Sequence, residues 1–141
     1  MVRAIILLMM TLVTILPHCY VHAYCFYNQM SDTTEVSISQ VGGQRHTILG
    51  GRATFFKHKN MPPGSKECCP YQNRECSKER SQGADCKFLL SYRKGPNEPE
   101  EKGNVVIFAP CGGYITAVGT YGDVSYHIFD TNNNQIGAGN F

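Results

Sequence analysis

The chain has no tryptophan. The broad indole platform on which sugars often stack is missing, so tyrosine has to take any such role. It has no Asn-x-Ser/Thr triplet, and N-linked glycosylation is not expected. There is no Gly-x-Ser-x-Gly elbow, no His-Glu-x-x-His pair and no phosphate loop, which removes the usual sequence basis for serine hydrolases, zinc proteases and nucleotide-dependent enzymes. No segment sustains an apolar period of 3.6 residues, so little helix is expected.

One long apolar run is present, at the start. Arg3 supplies a positive charge, Ala4 to Leu16 is uncharged and apolar, and Pro17 ends the run. Val21-His22-Ala23 then places small or tolerated residues at the −3 and −1 positions of a cleavage site. The apolar stretch has the length of a signal-peptide core and is short for a membrane span. Residues 1–23 are therefore read as a signal peptide and residues 24–141 as a single secreted, extracellular domain.

Cleavage after Ala23 removes Cys19 and turns seven cysteines into six: Cys25, Cys68, Cys69, Cys76, Cys86 and Cys111. An even count in an oxidising compartment points to disulfides. The stretch "KECCPYQNREC" crowds three of them together. A zinc site wants spaced pairs facing each other, and vicinal cysteines cannot bond each other without strain. The two are expected to send staples to different places. The short loop makes Cys69–Cys76 the first pairing expected, with Cys68–Cys86 and Cys25–Cys111 completing the set.

Short strands with turn signals between them fill the rest. They are expected near 24–30, 35–41, 52–58, 86–93, 104–109, 114–118 and 124–130, with Gln135 to Phe141 returning as a short edge strand. The cysteine-dense stretch from Cys68 to Cys86 is too polar to bury a core and reads as covalently ordered loop. "NVVIFA" reads as a continuously buried strand. The expected core is Phe26, Val36, Ile38, Phe55, Phe88, Leu90, Val106, Phe108, Ile115, Val118, Tyr126 and Ile128. The fold class is all-β: a small disulfide-stapled sandwich of about seven or eight antiparallel strands.

The segments "FFKHKNMPPGSKECCPYQNREC" and "FAPCGGYITAVG" resemble those of the small secreted cysteine-rich proteins of early-diverging fungi. Those proteins combine an aromatic, Asn-bearing first strand, a Pro-Gly-Lys-x-Cys-Cys-Pro-Tyr turn and a Gly-Gly-aromatic turn before a late strand. Ser65 between Gly64 and Lys66, and Cys111 directly before Gly112, depart slightly from that pattern. The resemblance implies a compact β-sandwich with an effector-like role outside the fungal cell, and it carries no catalytic residues.

Direct signs of chemistry are sparse. His58, Glu75, Arg52 and His127 are the ingredients of a ribonuclease-like acid–base set without its local motifs. Glu98, Glu100 and Glu101 cluster on a proline-bearing loop, too mobile a setting for paired catalytic carboxylates. Asp130, Asn132 and Asn134 alternate as in a calcium loop, but Gln135 and Phe141 stand where that loop needs Gly and Glu. No cofactor or metal is expected.

Charge is uneven. Arg45 to Lys94 holds eleven basic and four acidic residues; from Gly95 onward there are one basic and five acidic. Lys57, Lys59, Lys66, Arg74, Lys78 and Arg80 form the expected binding surface for an extracellular partner such as an anionic polysaccharide or a host protein, with nucleic acid disfavoured. The function expected is a non-enzymatic binding protein, an effector acting on a host surface or cell wall. A small hydrolase such as a ribonuclease, or an antimicrobial, membrane-acting toxin, is the alternative.

Overall fold

A computed structural model describes residues 23–41, 56–73, 76–77, 81–98 and 101–141. The expectations for the signal peptide, Arg52, Phe55, Arg74, Glu75, Lys78, Arg80 and Glu100 fall outside these residues. The described chain is all-β. Nine strands run in chain order: β1 (Ala23–Met30), β2 (Glu35–Gln40), β3 (Lys57–Met61), β4 (Lys66–Pro70), β5 (Asp85–Arg93), β6 (Lys102–Pro110), β7 (Tyr114–Thr120), β8 (Asp123–Phe129) and β9 (Gln135–Asn140). They form a five-stranded sheet in the order β4-β1-β7-β8-β9 and a four-stranded sheet in the order β3-β2-β5-β6. Among the described residues no helix is long and apolar enough to cross a membrane.

The core lies between the two sheets. Strand residues alternate between faces, so Phe26, Val36, Ile38, Phe88, Leu90, Ile107, Ile115, Val124 and Ile128 turn inward and are buried. Tyr24 joins them, with its ring edge-on to Phe56 and Phe88 at 4.9 Å each. Its hydroxyl donates to Gln40 Oε1 at 3.2 Å, and Gln40 Nε2 donates to the Cys76 carbonyl at 3.0 Å. Burial drives the Tyr24 phenol far above its ordinary pKa, so it stays a donor at any working pH.

A fully buried Asn28 ties three segments together. Its Nδ2 donates to the carbonyls of Met61 at 2.7 Å and Thr34 at 3.1 Å, and its Oδ1 accepts the Met30 N–H at 3.1 Å. Its backbone N–H and carbonyl pair with Ser65 and Gly64. One amide thereby fixes where β1 passes the end of β3 and the turn into β2.

Four expectations need correction. The strands number nine and are not all antiparallel, because β1 pairs parallel with β7 in the middle of its sheet. The third strand is Lys57–Met61, shifted from the expected 52–58. Its alternation breaks at Asn60, which takes a left-handed φ of 55° at a bulge and lets Met61 turn inward. Val106 and Phe108 are exposed, at 47% and 60%, whereas Ile107 and Ala109 are buried. β6 lies at a sheet edge with one face toward solvent, so alternation governs it and continuous burial does not. Val118 and Tyr126 are half-buried, Tyr126 packing beside Phe141.

The fourth correction concerns the disulfides, which are Cys25–Cys68, Cys69–Cys76 and Cys86–Cys111. Only Cys69–Cys76 was anticipated. The vicinal pair sits on a strand, β4, so its side chains point to opposite faces. Cys68 points outward and meets Cys25, its direct cross-strand partner on β1. Cys69 points inward and meets the buried Cys76. Cys86 at the start of β5 closes onto Cys111 in the turn after β6, where the Cys111 N–H also donates to the Ala84 carbonyl. The crowded cysteines of this sequence are two staples leaving one strand in opposite directions.

Candidate binding groove

The outer face of the five-stranded sheet carries aromatic rings where water would be the default neighbour. β1 presents Cys25 and Tyr27, β7 presents Tyr114 and Thr116, and β8 presents His127 and Phe129. Register sets them side by side: Tyr114 lies between Cys25 and Phe129, and Thr116 lies between Tyr27 and His127. Tyr114 and Phe129 stack at 4.4 Å with planes 7° apart, and Tyr27 meets Tyr114 edge-on at 5.6 Å. Lys66, paired across from Tyr27 on β4, holds its Nζ 5.0 Å from the Tyr27 ring centre. That distance is within cation–π range.

Cys25, Tyr27, Lys66 and Tyr114 border a half-open groove of about 480 Å³. Tyr27 and Tyr114 wall it, Lys66 and the Cys25–Cys68 bridge stand at one end, and Asp130, Thr131 and Asn133 stand at the other. Gly112 and Gly113 contribute no side chains to it. At Gly113 the reason is steric: an added Cβ would lie 2.1 Å from the Phe129 carbonyl oxygen. The close approach of turn and strand that leaves this end of the groove bare is possible only without a side chain there.

The far lip is a hairpin turn organised by Asp130. Its Oδ1 accepts the N–H groups of Asn132 and Asn134 at 2.8 Å each, and its Oδ2 accepts Asn134 Nδ2 at 3.0 Å. Asn133 takes the left-handed φ of 67° that asparagine tolerates, and its Oδ1 accepts the Tyr114 hydroxyl. Burial, and then the nearby Tyr27 phenol, push the Tyr114 hydroxyl above its usual pKa, which keeps it a donor. Residues 130–134 thus form a self-contained Asx-type turn, and among the described residues no group of acids, histidines and cysteines could hold a metal ion.

The Asn134 side chain, its N–H and the Asn132 N–H hold the Asp130 carboxyl below its ordinary value of 3.8. A carboxylate whose folded pKa is depressed stabilises above its unfolded pKa and loses that contribution as pH falls through the folded value. The turn is therefore expected to loosen only as pH drops below 3.8, with the amide resonances of Asn132 and Asn134 moving together. In Asp130→Asn those amides are expected to show no such acid titration. Movement of the wild-type amides near neutral pH would contradict this assignment.

The anticipated basic residues divide. Lys57 and Lys59 are exposed on β3, at the edge of the four-stranded sheet, and Lys66 is exposed on β4, at the edge of the other. Between the two edges, His58 Nδ1 and Glu67 Oε2 face each other at 3.7 Å. Of these three described lysines, Lys66 alone meets the groove. Glu101, expected on a mobile loop, accepts the Ser91 hydroxyl at 3.1 Å. His58 lies at the seam beside Phe56, whereas His127 lies on the outer face beside Phe129. Among the described tyrosines, Tyr27 and Tyr114 line the groove. Tyr92, Tyr121 and Phe141 pack together elsewhere, with Lys94 and Lys102 over the Tyr121 ring. Tyr27 was missed as a site residue. The signal available was its phase: Tyr24 and Phe26 inward put Tyr27 outward.

Comparison of the chain with protein-family models, with curated proteins and with solved structures gives no match.

Proposed function

We propose that this protein is secreted after loss of residues 1–23 and acts outside the cell as a non-enzymatic binding protein. Its partner belongs to a host surface or a cell wall, in the manner of the fungal effectors its sequence resembles. Three disulfides in a small β-structure suit an oxidising compartment. The observation that carries the reading is the outward aromatic groove. Rings that could have been buried instead face solvent, on a sheet clamped by Cys25–Cys68. A surface held rigid before binding loses little entropy on binding, which favours recognition. The hydrolase reading has less support: His58 and His127 occupy different sheets.

The test is capture of partners from host and wall fractions by the disulfide-intact protein. Tyr27→Ala with Lys66→Glu is expected to abolish capture, and Lys57→Glu with Lys59→Glu to leave it largely intact. Both variants are expected to unfold within about 1 kcal/mol of wild type, since exposed charges contribute little to folding and Tyr27 is only half-buried. Loss confined to the β3 variant, together with steep weakening by salt, would transfer the working surface to the basic edge.

A further inference from the structure

We infer that the groove takes an acidic glycan, a run of pyranose rings bearing carboxylates. The inference rests on the reading above that the outer face of the five-stranded sheet is the working surface.

The walls set the first requirement. Tyr27 and Tyr114 offer carbon-rich surface to a ligand whose own surface is apolar in patches. A pyranose ring has such patches, its axial C–H groups, between hydroxyls that need partners. The rim supplies those partners. Thr131 offers a hydroxyl, and Asn133, with its Oδ1 engaged by Tyr114, keeps its Nδ2 as a donor. A volume of about 480 Å³ falls within the range of small-molecule sites, and the half-open form lets a chain continue past it.

Charge sets the second. Lys66 is the cation at the groove, and its ammonium stands over the Tyr27 ring. The acid at the opposite end, Asp130, already accepts three hydrogen bonds from its own turn. Glu67, next to Lys66 in sequence, points to the other face of β4 and toward His58. A ligand carboxylate therefore finds an ammonium without a competing carboxylate beside it. Removal of the leader after Ala23 would place the new α-amino group at Tyr24, between the groove positions of Ala23 and Cys25, and add a second cation. One or two cations beside aromatic rings suit a carboxylate-bearing sugar.

The experiment is calorimetric titration of the secreted, disulfide-intact protein with three probes: oligogalacturonate, neutral glucose oligomers of the same length, and heparin. Oligogalacturonate is expected to bind at least about tenfold more tightly than the neutral oligomer, a difference of the size one well-placed charge supplies. Lys66→Met is expected to cut that preference to the part the new α-amino group supplies, while keeping weak binding of both sugars. Tyr27→Ala is expected to weaken both. Lys66 is exposed, so its replacement tests the site without endangering the fold. Heparin binding as tightly as oligogalacturonate, and unaffected by Tyr27→Ala, would overturn the inference in favour of charge alone. Failure of every glycan to bind, with partner capture still lost in the groove variant, would overturn the sugar class and leave the binding face standing. Failure of both would remove both.

Discussion

Replacing Asn28 with aspartate is expected to cost about 4 kcal/mol or more at pH 7, a large fraction of the stability of a small domain. The change is one atom in size. Asn28 Nδ2 donates to the carbonyl oxygens of Met61 and Thr34 from a fully buried position. An aspartate there sets a carboxylate oxygen against two carbonyl oxygens with no water to separate them. Burial and those two acceptors raise the folded pKa of the new carboxyl above its unfolded value of about 3.9. The sign follows. Below about pH 4 the acid is protonated in both states and the defect is smallest. Stability then falls as pH rises, until the folded pKa is passed and the full defect remains. Denaturant titrations at pH 3.5 and pH 7 should diverge strongly for Asn28→Asp. Asn28→Leu, which leaves the same two carbonyls without donors, should lose about 2–4 kcal/mol with no comparable pH dependence. An Asn28→Asp protein as stable as wild type at pH 7 would show that Asn28 does not hold these carbonyls.

The second large effect belongs to Gly113. Gly113→Ala places a methyl carbon 2.1 Å from the Phe129 carbonyl oxygen, and both groups are part of or attached to backbone. No rotamer relieves that clash, so the turn and β8 must separate. The expected loss is about 3 kcal/mol or more, at the upper end for overpacking. The damage is local in a way that matters. Tyr114 follows in sequence and Phe129 is its register partner, so the stacked pair behind the groove comes apart. Partner capture should fall further than stability alone explains when measured well below the unfolding midpoint. Gly83→Ala meets open space and is the control, expected within about 0.5 kcal/mol of wild type. Equal behaviour of the two variants would mean that the turn does not approach β8 as described.

Much of the fold could be read from residue order because alternation is a strong signal where one face is buried. Val36 and Ile38, Phe88 and Leu90, and Ile115 lie inward as their spacing implied. β6 shows where that reading breaks down. "NVVIFA" is apolar from Val105 on and looked buried on both faces, yet Asn104 marks the exposed phase that Val106 and Phe108 share. The apolar run outweighed that single mark, because whether one or both faces of a strand are covered is a property of the whole fold. The disulfides show the reverse case. Treating Cys68 and Cys69 as loop hid a signal that was available, since on a strand the two must part to opposite faces. Cys25, one step from Tyr24 and Phe26, had to be outward, which leaves Cys68 and not Cys111 as the partner on its side. Polarity made Lys66–Pro70 look unstructured, yet a short edge strand is where polar residues and lysine belong. The groove was the least legible part. It joins β1, β4, β7 and two turns that are far apart in the chain, and only the parallel meeting of β1 with β7 brings Tyr27 to Tyr114.

That parallel meeting bears on the order in which the protein can assemble. β1 is the first described strand to be synthesised, and its partner β7 emerges only after most of the chain. Until then one long edge of β1 has no neighbour, and non-local pairings of this kind make folding slow. β4 arrives much sooner and pairs with the other edge, and Cys25 meets Cys68 directly in that register. A bridge formed at that stage keeps β1 extended and correctly turned while synthesis continues. β7 then docks onto a prepared strand and has no need to find a free one. If Cys25–Cys68 closes first, the staple beside the groove acts twice: it clamps the finished face, and before that it holds open the place where half of that face will land.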